Sequence, residues 1–224
     1  MLITFSGLDG SGKSTLIAHL KDSLEQENRK VAVSHMNYDV GLYSFIRALA
    51  KKAVGAGKSA QTQIQENHAP REQAFENRFT SRTAKLRYNL VWNKGLRVLV
   101  YPVDVVMFLV YRLYVEKVNN QVLIMDRYFY DTLVDLTGAQ RSIRTRLLSW
   151  LIPTPNLSIY LDCNPENAFL RKQEYSVDYL KGRRLSYLKL ISNLPRMLVV
   201  STDQDLEATQ MNLATAVRER LIAH

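Results

Sequence analysis

Nine consecutive residues, Gly7-Leu8-Asp9-Gly10-Ser11-Gly12-Lys13-Ser14-Thr15, carry the ingredients of polyphosphate binding in one short stretch. Gly7, Gly10 and Gly12 let the backbone curl, so that the N–H groups of the loop and of Ser11 converge on a phosphate chain. A helix opening at the end of the stretch adds the positive end of its dipole. Lys13 is spaced to reach the β and γ phosphates, and the Ser14 hydroxyl, followed by Thr15, to ligate Mg²⁺. A second group, Asp126-Arg127-Tyr128, closes the apolar run Val122-Leu123-Ile124-Met125. Ligands of open α/β sheets sit beyond the carboxyl ends of the strands. Asp126 is therefore a candidate for the Mg²⁺ shell and Arg127 for a bidentate grip on a second phosphate. An Asp–Arg ion pair closing the strand is the plainer reading of the same two residues.

These groups need a scaffold that brings residues far apart in the chain to one edge. Short β-type runs at 2–5, 31–34, 122–125, 157–161 and 197–200 alternate with helical patterns at 14–27, 42–54, about 165–172, 178–191 and 205–222. Asn164 before Pro165 marks a helix start, because asparagine caps and proline is pre-set for the first turn. The alternation predicts an α/β fold, a five-stranded parallel sheet flanked by helices. The polar stretch 55–77 breaks the pattern and reads as a mobile insertion. The block 79–117 is long and helical, and Pro102 predicts that it breaks into two helices.

The 224 residues fit one domain with a core large enough to need no staples. The single cysteine, Cys163, excludes an internal disulfide and reads as a small buried residue. The chain opens directly on a strand pattern, without the charged and apolar regions of a secretory signal, and the expected location is cytoplasmic. The longest apolar stretch, 98–115, is interrupted by Pro102, Asp104 and Arg112 and reads as a buried helix, so no membrane span is expected. A net charge of +9 suits anionic partners, whether nucleotide phosphates, nucleic acid or an acidic membrane surface. Basic clusters lie at Arg141, Arg144 and Arg146 and at Lys181, Arg183 and Arg184, and no nucleic-acid-binding signature accompanies them. His19, His35 and His68 lack metal-ligand spacing.

Together the motifs resemble the thymidylate kinase family of P-loop nucleotide kinases. The likeness is carried by Phe5-Ser6 and the glycine-rich loop, by Asp126-Arg127-Tyr128, by Leu157-Ser158-Ile159-Tyr160-Leu161-Asp162 with Pro165-Glu166, by the basic segment 171–184, and by Tyr187-Leu188-Lys189-Leu190. It covers the first 35 residues and most of the chain from Val122 onward. The resemblance implies a P-loop NTPase fold in a single domain, with ATP and Mg²⁺ as cofactors and a short basic lid over 171–184 closing on the donor phosphates. It places Asp9 and Arg127 on the acceptor side and Arg171 and Arg184 in the lid, with Arg183 a near substitute for Arg184. A homodimer is compatible with it.

The acceptor side departs from the family pattern. His35-Met36-Asn37-Tyr38-Asp39 replaces the Arg-Glu-Pro-Gly-Gly type of turn, and Asp131, Thr132, Asp135 and Leu136 follow where the family reads thymine. Arg97 and Arg112 are candidates for a further acceptor arginine, at a spacing other than the family's. The expected function is an ATP- and Mg²⁺-dependent phosphotransferase, moving the γ-phosphate to a nucleoside monophosphate or related small acceptor. Two other readings stay open: a kinase of a nucleoside, sugar or lipid-linked acceptor, and a nucleotide-binding regulatory protein without turnover.

Overall fold

The computed structural model describes residues 1–36, 94–137, 143–192, 197–203 and 205–222. Its centre is a sheet built from the five apolar runs: β1 (Leu2–Gly7), β2 (Val31–His35), β3 (Val122–Asp126), β4 (Leu157–Asp162) and β5 (Met197–Ser201). The strands lie in the order β2-β3-β1-β4-β5, and every neighbouring pair is parallel. Parallel strands need crossovers, which the helices supply. The register aligns Phe5 and His35 with Asp126, Gly7 with Leu161, and Asp162 with Ser201. One edge of the sheet thus collects the ends of both chemical motifs.

Side chains alternate between two cores, one on each face of the sheet. Ile3, Phe5, Ile124, Ile159 and Leu161 pack on one face against Leu16, Ile17, Leu20 and Leu24 of α1 (Lys13–Gln26), with Leu213 and Val217 of α7 (Leu206–Ile222). Leu2, Leu123, Met125 and Tyr160 pack on the other face. They meet Tyr101, Val105 and Phe108 of α2 (Lys94–Leu113), Phe129 and Leu133 of α3 (Phe129–Thr137), Leu148 of α4 (Ile143–Trp150), and Leu180, Tyr187 and Leu190 of α6 (Val177–Ile191). Helix α5 (Pro165–Arg171) starts where expected, with Asn164 accepting from the Glu166 N–H at 3.2 Å and Pro165 in its first turn.

Two elements differ from the sequence expectation. Helix α2 runs straight through Pro102 and continues into a π-helical turn, Tyr114–Val118. A proline inside a helix deletes one backbone hydrogen bond and costs about 3 kcal/mol. Here burial of Tyr101, Val105 and Phe108, all within two turns of it, offsets that cost. The sequence reading also gave no element to the stretch after Asp126-Arg127-Tyr128, which holds α3 and α4. The expected helix at 42–54, the insertion at 55–77 and the first part of the 79–117 block lie outside the described residues, as does His68.

The second core centres on aromatic rings packed edge-on. Phe108 meets Tyr128 at 5.5 Å and Phe129 at 5.4 Å between centroids, and Tyr101 meets Phe129 at 5.4 Å. Phe108→Ala opens a cavity at their junction and should cost about 3–5 kcal/mol of unfolding free energy. Urea denaturation followed by circular dichroism measures it, and a loss under 1 kcal/mol would contradict the packing described.

Candidate functional site

The glycine-rich loop leaves β1 at Gly7 and enters α1 at Gly12. Gly10 and Gly12 both adopt left-handed backbone, φ +86° and +83°. At Gly10 a side chain is also excluded by space, because a Cβ there would lie 2.3 Å from the Ala168 carbonyl oxygen. The loop therefore lies directly on α5. Gly12 stands at the helix start and offers no side-chain cap, so the first N–H groups of α1 receive no side-chain acceptor from it. The Ser14 and Thr15 side chains at that end are exposed.

Lys13 is folded back into this loop. Its ammonium donates to the Leu8 carbonyl at 2.6 Å and the Gly7 carbonyl at 3.0 Å, and the residue is 7% exposed. Burial, with the Arg127 charge adding to it, lowers the Lys13 pKa to about 8; Asp9, Asp131 and Asp126 oppose that shift in part.

Asp126 and Arg127 stand at the end of β3, beside the loop. Asp126 Oδ1 is buried and has no hydrogen-bond partner among the described residues. An orphaned carboxylate oxygen of this kind is open to a cation or its water shell. Arg127 has left-handed backbone, φ +67°, while its N–H still donates to the Phe5 carbonyl at 2.9 Å. That conformation is costly for a residue with a Cβ, by roughly 1–3 kcal/mol, and collects at functional sites. Its guanidinium pairs with Asp9 of the loop and lies 3.8 Å from Asp131. Burial alone would lower its pKa, but Asp131 and Asp9 raise it above the ordinary value. For Asp9, burial raises, yet Arg127 and then Lys13 hold the carboxyl below its usual range.

Asp131, which carried no assigned role in the sequence, is the hub. One carboxylate oxygen accepts from Ser6 Oγ at 2.7 Å and from the Tyr128 N–H at 3.0 Å; the other accepts from the Tyr187 hydroxyl at 2.6 Å and faces Arg127. It lies one helical turn beyond Arg127, a spacing that could have flagged it as an ion-pair partner. The Tyr187 hydroxyl is held protonated, its pKa pushed well up by burial and by Asp131.

Segment 171–184 comprises the end of α5, a turn, and the first half of α6, opened by Ser176 capping the Tyr179 N–H. Its arginines go to three separate places. Arg171 donates to the Thr202 carbonyl at 3.0 Å and lines a cleft of about 240 Å³ with Ser11, Gly12, Thr15, Leu206 and Thr209. Arg183 donates to Asp135 at 2.6 Å and to the Tyr187 hydroxyl at 3.4 Å, its guanidinium 5.6 Å from the Tyr187 ring centre; its Nε is buried without a partner among the described residues. Arg184 forms a two-pronged pair with Asp162, 2.7 Å on each arm. Of the lid candidates, Arg171 thus borders the loop and Arg183 connects through Tyr187 to Asp131, whereas Arg184 is committed at the end of β4.

Arg112 lies at the opposite edge of the sheet, bound to Glu116, the Thr154 carbonyl and Asn156, whose own side chain accepts from the Leu2 N–H. It is therefore no acceptor-site residue. The Arg97 and Arg144 side chains and Arg141 lie outside the described residues. Cys163 is buried, and burial raises its thiol pKa. Among the described residues no group of three or more His, Cys, Asp or Glu forms a metal cluster.

Two measurements test this geometry. With its pKa lowered to about 8, Lys13 would be increasingly neutral above that pH, whereas a polyphosphate bound beside it would favour the charged form. The affinity of a polyphosphate such as ATP held against Lys13 should therefore fall by up to about tenfold per pH unit above pH 8. Calorimetry should show that fall, and Lys13→Ala should bind weakly without it. Asp131→Ala strips an acceptor from Ser6, Tyr128 and Tyr187 and half the ion pairing from Arg127, and should cost about 3–5 kcal/mol in denaturant unfolding. A loss within 0.5 kcal/mol would deny Asp131 its central place.

In comparisons with known proteins, no family model matches the chain and no curated protein matches it significantly.

Proposed function

We propose that the protein is an ATP- and Mg²⁺-dependent phosphotransferase that moves the γ-phosphate of ATP to a nucleoside monophosphate or a related small acceptor. The observation that carries this reading is the buried, unpartnered Asp126 Oδ1 beside Lys13 and an α1 N-terminus without a side-chain cap. A carboxylate, a lysine and a set of helix N–H groups are what a metal–triphosphate needs, and a loop bound by nothing has no use for them together. The strand order 2-3-1-4-5, all parallel, puts them at the edge where ligands of open sheets bind.

Phosphoryl transfer passes through a loose transition state, so positioning and charge stabilisation do most of the catalytic work. In this reading Gly7, Gly10, Ser11, Gly12 and Thr15 surround the phosphates through their backbone. Lys13 swings from the Gly7 and Leu8 carbonyls onto the β and γ phosphates. Ser14 and Asp126 would hold Mg²⁺, which when bound neutralises charge on the same two phosphates. The cleft bordered by Arg171, Thr202 and Thr209 suits the nucleoside end of the donor. The acceptor oxygen forms its bond to the γ-phosphorus as the bond to the β–γ bridging oxygen breaks, and ADP leaves. Arg127, aimed by Asp9 and Asp131, steadies the transferring group, and Arg171 closes the donor side.

A hydroxyl acceptor on a nucleoside, a sugar or a lipid-linked group is the second reading. It is favoured by Arg127 entering the site already shared between two carboxylates, which weakens its pull on an acceptor phosphate.

Incubation of the purified protein with labelled ATP, Mg²⁺ and panels of nucleoside monophosphates, nucleosides and sugars decides between them. Transfer to a monophosphate supports the leading reading, transfer confined to hydroxyl acceptors supports the second, and tight ATP binding without transfer to any acceptor favours a regulatory role. Lys13→Ala should lower turnover by about a hundredfold or more; unchanged turnover would refute the role given to the loop. Arg127→Ala should lower turnover more than it weakens ATP binding.

A further inference from the structure

Helices α3 and α6 meet at the site through two polar contacts that run antiparallel. Asp131 and Asp135, one turn apart on α3, accept from Tyr187 and Arg183, one turn apart on α6. The Asp131–Tyr187 contact is the deeper of the two: both residues are buried, whereas the Asp135 side chain is 28% exposed. The direction of the Tyr187 hydroxyl is fixed by its neighbours. Arg183 donates to it at 3.4 Å, and a guanidinium accepts nothing, so the hydroxyl proton goes to Asp131. The ring packs 5.2 Å from that of Tyr160 between centroids, within the aromatic core, and this holds the hydroxyl in place.

What this bond does follows from the oxygen it occupies. Asp131 Oδ2 is filled by Ser6 Oγ and the Tyr128 N–H. Oδ1 takes the Tyr187 hydroxyl at 2.6 Å, and Arg127 Nη1 stands 3.8 Å from the same atom, too far for a hydrogen bond. Arg127 instead donates through Nη2 to Asp9 of the glycine-rich loop. Asp9 and Asp131 therefore compete for one guanidinium, and the phenol takes the place at Asp131 where a close Arg127 pair would form. Without that hydroxyl a buried carboxylate oxygen is left short of a donor, and Arg127 is the charged donor that faces it.

We infer that Tyr187 is a positioning residue of the site, whose hydroxyl holds Arg127 off Asp131 and turned to Asp9 at the loop. Helix α6 thereby governs, through one buried carboxylate, an arginine that belongs to the end of β3. The inference rests on the role given to Arg127 in the proposed reaction, and its first test needs no turnover.

The test is a double-mutant cycle in urea with Tyr187→Phe, which keeps the ring, and Asp9→Asn. In the wild type Asp9→Asn breaks the Arg127 pair; in the Tyr187→Phe background Arg127 has moved to Asp131, so the same change should raise the unfolding equilibrium constant about fivefold less. A hydroxyl that only supports the core gives additive effects, because the Tyr187 and Asp9 hydrogen bonds share no atom. In the transfer assay Tyr187→Phe should lower kcat about tenfold or more while the KM for ATP stays within about twofold. Effects that add to within about twofold in urea would overturn the inference, whatever the turnover. So would coupling with kcat unchanged, or a Tyr187→Phe chain that does not fold, since the hydroxyl would then serve the structure as a whole. A wild type that transfers phosphate to no acceptor would refute the proposed reaction instead, and the cycle would still decide the placement of Arg127.

Discussion

The β1 and β3 part of the sheet's carboxyl edge is organised around the Asp131 carboxylate. A buried carboxylate is expensive unless several donors compensate it. Ser6 supplies one from β1, Tyr128 one from the start of α3, Tyr187 one from α6, and Arg127 adds a positive charge from the end of β3. Four elements are thereby drawn to one point. Because Arg127 also reaches Asp9, the glycine-rich loop is tied to the same point and not left to find its own position. The left-handed backbone of Arg127 fits this picture, since strain at one residue persists where the neighbours over-determine it.

The two faces of the sheet divide the work. The α1 and α7 face is aliphatic apart from Phe5 and fixes the base of the loop. The other face carries the aromatic cluster, the π-helical turn and the polar network around Asp131. The Tyr101, Tyr128 and Tyr187 rings on that face are tied off by hydroxyl bonds, that of Tyr128 to the Pro153 carbonyl at 2.5 Å. The polar network is therefore backed by stiff, dense packing, which holds the arginines to definite positions.

The strands and the loop were legible in the sequence because their signals are local. Apolar runs bounded by polar residues identify all five strands, and the glycines of the loop announce a backbone that other residues cannot follow. What was not legible depends on contacts between distant parts of the chain. Pro102 predicts a break, and only packing against Phe129 and its neighbours keeps α2 continuous. Asp131 looks like any acid in a helical first turn until Ser6 and Tyr187 are brought beside it. Arg183 and Arg184 are adjacent in sequence, but a helix rotates about 100° per residue, so one turns to Asp135 and the other to Asp162. Sequence likeness within a basic segment cannot choose between neighbours that geometry separates so completely.

That separation leaves a charge arrangement with a definite consequence for ligand entry. Arg127 and Arg183 are each neutralised by carboxylates before any ligand arrives. Lys13 differs, because its hydrogen bonds go to neutral acceptors of the loop, and burial has already weakened its hold on the proton. An anion bound at the loop would recruit Lys13 without breaking an ion pair, and its charge would reverse the penalty that burial imposes. The arginines instead give fixed positive potential whose aim is set by Asp9, Asp131 and Asp135. Among the described residues at this edge, Lys13 is thus able to follow an incoming anion while Arg127 and Arg183 stay in place, a division on which the proposed phosphoryl transfer would draw.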